Sequence, residues 1–253
     1  MKSSPDLSIV IACYNEEDIL VNNVKEVVDV LDATRFAYEF IFIDDCSQDN
    51  TRELINSLIG QYADKSFRRI FHEQNKGRGG TVTEGIREAR GSVVGFIDID
   101  LETHARYIPS CVAVIRAGYD VATAKRNYTF RIRSIDRYLL SKGYSRLVKW
   151  VLGFPLQDTE TGFKFFNRAK ILPVLEKTHD QKWFWDTEIM VRSYLAGLKI
   201  IEIPTLFIRR FDKQSTVNPL RDSVEYLVKL FRFKKQIKQE KNKLESIKGN
   251  WAS

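Results

Sequence analysis

Val93-Val94-Gly95-Phe96-Ile97-Asp98-Ile99-Asp100-Leu101-Glu102 is an apolar run that delivers two carboxylates one residue apart and a third two positions later. In an extended backbone side chains repeat with period two, so Asp98 and Asp100 would share one face while Ile97 and Ile99 share the other. Two carboxylates held side by side repel unless a cation lies between them or one keeps its proton. A strand end with this pattern is a candidate for a divalent cation with oxygen ligands, Mg2+ or Mn2+. A solvated turn closing a buried strand accounts for the same residues, and the surrounding sequence has to decide between the two.

Upstream, a strand-then-helix unit occurs three times. Leu7 to Ala12 reads as a strand ending in Cys13-Tyr14-Asn15-Glu16-Glu17, after which Leu20, Val24, Val27, Val28 and Leu31 recur at helical spacing. Glu39 to Ile43 is a second strand, ending in Asp44-Asp45-Cys46-Ser47; Ser47 or Asp49 then caps a helix with Leu54, Leu58 and Tyr62 on its apolar face. Phe67 to His72 is a third strand, and the Gly-rich link Asn75–Gly80 leads to a helix expected over Thr81 to Ala89, stopped by Gly91. This alternation predicts an α/β fold, a mostly parallel central sheet flanked by helices. Ligands of such sheets lie at the carboxyl ends of the strands, so Glu16, Asp44, Asp45 and Asp98 are expected to meet in one cleft.

Downstream, a helix over Tyr107–Ala117 and a strand over Asp120–Ala124 precede Lys125-Arg126. Residues 127–155 mix aromatic, aliphatic and basic side chains, and Asp158-Thr159-Glu160-Thr161-Gly162-Phe163-Lys164-Phe165-Phe166 sets polar residues ahead of alternating ones. Trp183–Leu195 reads as a helix, Leu198–Ile203 as a strand, and a long helix begins near Leu220. The expected organisation is a catalytic domain over 1–218 and an amphipathic helix with a basic tail over 219–253.

The 253 residues are 43% apolar and 12% aromatic, enough for a real core. No stretch is long and apolar enough to span a bilayer, and the N-terminus lacks the pattern of a signal peptide. Cys13, Cys46 and Cys111 are few, odd in number and widely spaced, which fits reduced cysteines in the cytoplasm rather than a disulfide framework or zinc site. The net charge of +7 is concentrated between Lys229 and Lys248, where eight basic residues stand against Glu240 and Glu245. A nearly neutral body with an acidic cleft argues against a nucleic-acid surface.

The glycines at 77, 79, 80 and 85 match neither the P-loop nor the dinucleotide fingerprint, which lowers nucleoside triphosphate hydrolysis and hydride transfer. His72, His104 and His179 have no partners at metal-ligand spacing and read as structural or surface residues. Asp186 and Glu188 lie in a Trp- and Phe-rich segment, where a buried carboxylate must be paired or hold its proton. A nucleotidyltransferase would need a Gly-rich, Arg-Lys-bearing first loop where this chain has Tyr14-Asn15-Glu16.

Four ordered blocks carry a resemblance: Ser8–Glu17, Asp44–Thr51, Asn75–Gly80 continuing through Ala89-Arg90-Gly91, and Asp98–Glu102. Together they resemble the family 2 glycosyltransferases of GT-A fold, over about residues 5–215, and within them the polyprenyl-phosphate sugar transferases. Asp158–Lys164 is similar to the Asp-Thr-Gln-Cys-Gly-Phe-Lys run of the dolichyl-phosphate glucose synthase branch, with Glu160 and Thr161 replacing Gln and Cys. Trp183-Phe184-Trp185-Asp186-Thr187-Glu188 resembles the same branch. The resemblance implies a nucleoside-diphosphate sugar donor, UDP-glucose ahead of GDP-mannose, contacted by Ala12, Tyr14, Asn15, Glu16, Asp44, Asp45, Lys76, Asp98 and Ile99. It implies Mg2+ or Mn2+ on Asp98, Asp100 and Glu102, and inversion at the anomeric carbon by direct displacement.

The acceptor implied is a polyprenyl or dolichyl phosphate, whose oxyanion needs cations rather than a base: Arg126 first, then Arg131, Arg209 and Arg210. If the acceptor is a saccharide hydroxyl, a carboxylate must take its proton, and Asp158 or Glu188 is the choice. Residues 127–155 and 220–248 have the composition of interfacial helices, which predicts a peripheral enzyme on the cytoplasmic face of a membrane. The competing role for the tail is a solvated or homo-oligomer-forming helix.

Overall fold

The computed structural model describes residues 4–128, 143, 146–209 and 219–250. Along the chain come β1 (Leu7–Cys13), α1 (Leu20–Asp32), β2 (Tyr38–Asp44), α2 (Thr51–Gln61), β3 (Ser66–Phe71), α3 (Gly77–Glu88) and β4 (Val93–Ile97). A 3-10 turn (Ala105–Tyr107), α4 (Ile108–Arg116) and β5 (Val121–Tyr128) follow, then helical residues 146–152 (α5). The chain continues with β6 (Phe163–Asn167), α6 (Arg168–Leu175), α7 (Trp185–Leu195), β7 (Ile200–Phe207) and α8 (Pro219–Asn250).

The strands form one sheet in the order β3-β2-β1-β4-β6-β5-β7. β1 pairs parallel with β2 and β4, β2 with β3, and β5 with β7. β6 alone runs antiparallel, to β4 on one side and β5 on the other. Central strands covered on both faces need continuous apolar sequence, and β4 (Val-Val-Gly-Phe-Ile) is buried throughout. The outer strands tolerate what central ones do not: β3 carries Arg68 and Arg69, and β7 carries Pro204, which cannot donate to a ladder. Leu20, Val24, Val27 and Leu31 of α1 and Cys111, Val112 and Ile115 of α4 join Phe40, Phe42, Phe163 and Phe165 of the sheet in the main core.

Several elements depart from the sequence reading: β5 runs on to Tyr128 and β7 through Pro204 to Phe207, beyond the expected ends at Ala124 and Ile203. Helix α3 starts at Gly77, so the Gly-rich link expected before it is its first turn. A Cβ on Gly79 would lie 2.5 Å from Trp185 Cβ, and one on Gly85 would lie 2.2 Å from Val10 Cγ1. These glycines let α3 approach α7 and β1 closely. The chain also leaves the strand conformation at Ile97: Leu101 N–H closes a turn on Asp98 C=O at 3.2 Å, with Leu101 at φ 53°. The period-two argument for Asp98 and Asp100 therefore does not apply, because these residues lie in a turn.

The backbone separates into two compact units, residues 1–130 with 158–210, and residues 131–157 with 211–253. The first holds the whole sheet. In the second, Val148, Val151, Phe154, Leu230 and Phe233 are buried, whereas Trp150 is 79% exposed and Leu227, Val228 and Phe231 are open to solvent. No helix among the described residues is long and apolar enough to cross a membrane.

Candidate active site

Because β1, β2, β4 and β5 run parallel, the residues following them emerge at one edge of the sheet. The reversed β6 brings its own beginning, Thr161 to Phe163, to that edge as well, and Asp98 N–H donates to Gly162 C=O at 2.8 Å. A Cβ on Gly162 would fall 1.7 Å from Asp98 Oδ2, so only glycine allows this approach.

The loops after β1 and β2 are laced together. Asn15 N–H donates to Ser47 Oγ (2.9 Å), Gln48 N–H to Asn15 Oδ1 (2.8 Å), and Glu16 N–H to Thr51 Oγ1 (2.8 Å). Glu17 reaches Asn50 through its carboxylate, and Asp49 accepts from Glu17 N–H at 3.1 Å. Tyr14 is exposed above this frame, and Ala12 is half-buried at the end of β1.

The two expected Asp residues, the last of β2 and the one after it, hold the frame. Buried Asp44 receives Arg52 Nε at 2.6 Å and Ser47 N–H at 3.2 Å. Asp45 meets the start of α3, accepting from Lys76 N–H and Gly77 N–H at 2.8 Å each, and from His72 Nδ1 at 2.7 Å. Helix-start carboxylates satisfy amides that have no partner inside the helix. Lys76 pairs with Glu84 at 2.5 Å, and the other ring nitrogen of His72 lies 3.0 Å from the same carboxylate. His72 is thus buried between the Asp45 and Glu84 carboxylates. Ile99 is buried in the core, and its carbonyl accepts from Asn23 Nδ2 at 2.7 Å.

At the centre of the edge lies a chain of charges the sequence did not reveal. Arg78, from the first turn of α3, donates through Nε and Nη2 to Asp98 Oδ1 (3.1 and 2.8 Å) and through Nη1 to Asp186 Oδ2 (2.5 Å). Asp186 Oδ1 accepts from Lys164 Nζ at 2.6 Å, and Lys164 also donates to Thr161 C=O. The guanidinium stacks over Phe96 and Trp183, 5.3 and 5.2 Å from the ring centres. Burial works against both cations. For Arg78 the Asp186 and Asp98 carboxylates outweigh it and raise the pKa, whereas for Lys164 burial prevails over Asp186 and lowers it.

Beside this chain, Arg126 at the end of β5 grips Asp158 with Nε to Oδ2 (2.7 Å) and Nη2 to Oδ1 (2.8 Å). Burial pushes the Asp158 carboxyl up, but Arg126 outweighs it and the pKa falls below the usual range. Glu160 lies 3.7 Å from Arg126; burial, with Asp158 and Asp186 near it, pushes its pKa up to about 7 against the pull of Arg126. Glu188 is committed elsewhere: it accepts from Arg192 Nε at 2.8 Å and from His179 and Asp180 N–H at 3.1 and 2.8 Å. Neither Asp158 nor Glu188 has the free carboxylate expected of a base. Arg209 makes no ion pair among the described residues, and Arg131 and Arg210 lie outside them.

The expected three-carboxylate metal cluster is not assembled: among the described residues no three His, Cys, Asp or Glu side chains group to hold an ion. The oxygen donors still suit a hard cation. The Asp98 carboxylate is 42% exposed, its Oδ2 accepts no hydrogen bond among the described residues, and Asp100 is two residues on in the same turn. Mg2+ and its like are commonly held by one or two carboxylates, with substrate phosphates completing the shell. Glu102, further along, is half-buried, and its carbonyl accepts from Ile208 N–H at 2.9 Å.

Comparison with known proteins places this edge in context. Residues 8–174 match the family model described as glycosyl transferase family 2. The chain belongs to glycosyl transferase family 2. The family 2 match runs from β1 into α6 and takes in every charged group of the central edge except Asp186. Over 204 residues the chain is 33% identical to glycosyltransferase AglD of Haloferax volcanii, covering 79% of this chain and 32% of that protein. It is 28% identical over 220 residues to the dolichyl-phosphate beta-glucosyltransferase of Saccharomyces cerevisiae, covering 78% of this chain and 65% of that one. It thus spans about a third to two thirds of the length of these relatives. Glucosyl-3-phosphoglycerate synthase from Mycobacterium tuberculosis, solved with Mn2+, UDP and glucosyl-3-phosphoglycerate, superposes at TM-score 0.64 with 16% identity, over 89% of this chain and 80% of that one. At that identity the likeness speaks for the GT-A fold.

Proposed function

We propose that this chain is the catalytic part of an inverting glycosyltransferase that moves a sugar from a nucleoside-diphosphate sugar to a polyprenyl or dolichyl phosphate. The observation that carries this is the single edge where Asp98, Arg78, Asp186, Lys164, Asp158 and Arg126 form adjoining ion pairs. UDP-glucose is the favoured donor, supported by relatives named dolichyl-phosphate beta-glucosyltransferase. Mg2+ or Mn2+ on Asp98 and Asp100 would neutralise the diphosphate as the sugar–phosphate bond breaks.

The chain's own residues favour a phosphate acceptor. A phosphate oxyanion attacks without a base, whereas a sugar hydroxyl needs one, and both Asp158 and Glu188 are tied up in ion pairs. Arg126 carries a guanidinium fork that suits a phosphate, and it would take one up by exchanging the Asp158 carboxylate that now occupies Nε and Nη2. A second reading rests on Glu160: with a pKa of about 7 it can take a proton at neutral pH, so a saccharide hydroxyl acceptor would use Glu160 rather than the two carboxylates expected.

Peripheral membrane binding through α8 is part of the proposal. Leu227, Val228 and Phe231 stand open on a helix whose next turns carry Lys234, Lys235 and Lys238. The test is a donor screen with purified protein and a short-chain polyprenyl phosphate, reading nucleotide release. Acceptor-dependent release of UDP from UDP-glucose supports the reading; release that ignores the lipid phosphate and follows a free saccharide removes it.

A further inference from the structure

Among the described residues Asp98 is paired with one cation, Arg78. Arg78 puts two donors on Asp98 Oδ1 and a third on Asp186, and its side chain is only 12% exposed. Phe96 and Trp183 face the guanidinium at 5.3 and 5.2 Å, and a Cβ on Gly162 would fall 2.7 Å from Arg78 Nη2. The guanidinium is thus fixed by packing and not merely attracted to the carboxylate. Asp186 does not depend on Arg78, since Lys164 holds its other oxygen at 2.6 Å. For Asp98 the position is different, because Arg78 is the only cation paired with it among the described residues.

A divalent ion arriving at Asp98 meets a carboxylate whose charge is already balanced and a fixed positive charge next to it. Like charges a few ångströms apart in a partly buried site repel strongly. A nucleoside diphosphate changes that balance by bringing its own negative oxygens, which both the ion and the guanidinium can share.

We propose that Arg78 is a resident counter-cation that makes divalent-ion binding at Asp98 depend on the nucleoside diphosphate, so that ion and nucleotide load together. This rests on the metal reading above and adds a role for a residue that no part of that reading uses.

The experiment is a Mn2+ titration of the full chain followed by electron paramagnetic resonance, with and without UDP, with no turnover required. The wild-type chain binds Mn2+ weakly alone and markedly tighter with UDP. Arg78→Met removes the charge but keeps most of the apolar stem, and it binds Mn2+ without UDP roughly tenfold tighter than wild type, in keeping with the loss of one adjacent charge. Arg78→Lys retains the charge and stays near wild type. Should Arg78→Met fail to fold, Asp186→Asn gives an opposite signature: it leaves more uncompensated positive charge by Asp98 and weakens Mn2+ binding without UDP. Arg78→Met binding no tighter than wild type, or Asp186→Asn binding tighter, overturns the inference while leaving the metal reading intact. Absence of Mn2+ binding to the wild-type chain even with UDP overturns both.

Discussion

Glu160 is a carboxyl whose surroundings carry its titration toward neutral pH. Its folded pKa of about 7 lies above the ordinary carboxyl value, so the folded chain holds a proton there that the unfolded chain has released. Stability from this group is present at low pH and is lost as pH rises toward 7. Glu160→Gln keeps the neutral shape, and it is expected to raise stability by roughly 2 kcal/mol at pH 8.5, with the gain fading by pH 4.5. Urea unfolding at the two pH values checks this; an equal effect at both would contradict it. Gly162→Ala forces a methyl group into Asp98 Oδ2 and is expected to lower kcat/KM by about a hundredfold through misplacement of Asp98 and Arg78. Asp100→Asn is expected to abolish turnover while leaving the thermal melt unchanged, and retained activity with unaltered metal dependence would remove Asp100 from the metal site.

At the scale of elements, the first four strands are legible because apolar runs of strand length alternate with helical spacing. The reversal of β6 was not, since Phe163–Asn167 reads the same in either direction and its partners come from the ladder, not from local pattern. The charge chain escaped for a related reason. Arg78 lies in a Gly-rich stretch with no helical pattern of its own, and Lys164 in a strand where a buried lysine makes sense only beside Asp186, 22 positions away. Asp158 and Glu188 are legible as carboxylates, but their ion pairs with Arg126 and Arg192 are seen only in the fold. The three non-glycine residues with positive φ among the described ones, Asn15, Cys46 and Leu101, all follow strands at the carboxyl edge, where strain gathers at functional sites. Helix α3 depends on small residues: Gly85→Ala drives a methyl into Val10 and is expected to destabilise the fold by about 1–3 kcal/mol, read from chemical denaturation. No loss would mean that β1 and α3 have slack between them.

At the scale of the molecule, the sheet unit carries the charges of the candidate site, and the second unit carries Trp150 and the exposed apolar positions of α8. Removing residues 234–253 deletes most of the basic tail and is expected to weaken association with anionic liposomes while leaving UDP affinity unchanged. Equal liposome binding by both forms would assign the tail another role. The central claim is transfer of the sugar onto a lipid phosphate with inversion. Its most direct test is to incubate the chain with UDP-glucose, Mn2+ and a short-chain polyprenyl phosphate and determine the product and its anomeric configuration by mass spectrometry and NMR. The account predicts a β-linked glucosyl phosphate lipid. An α-linked product, or glucose appearing only on a saccharide hydroxyl, would contradict it.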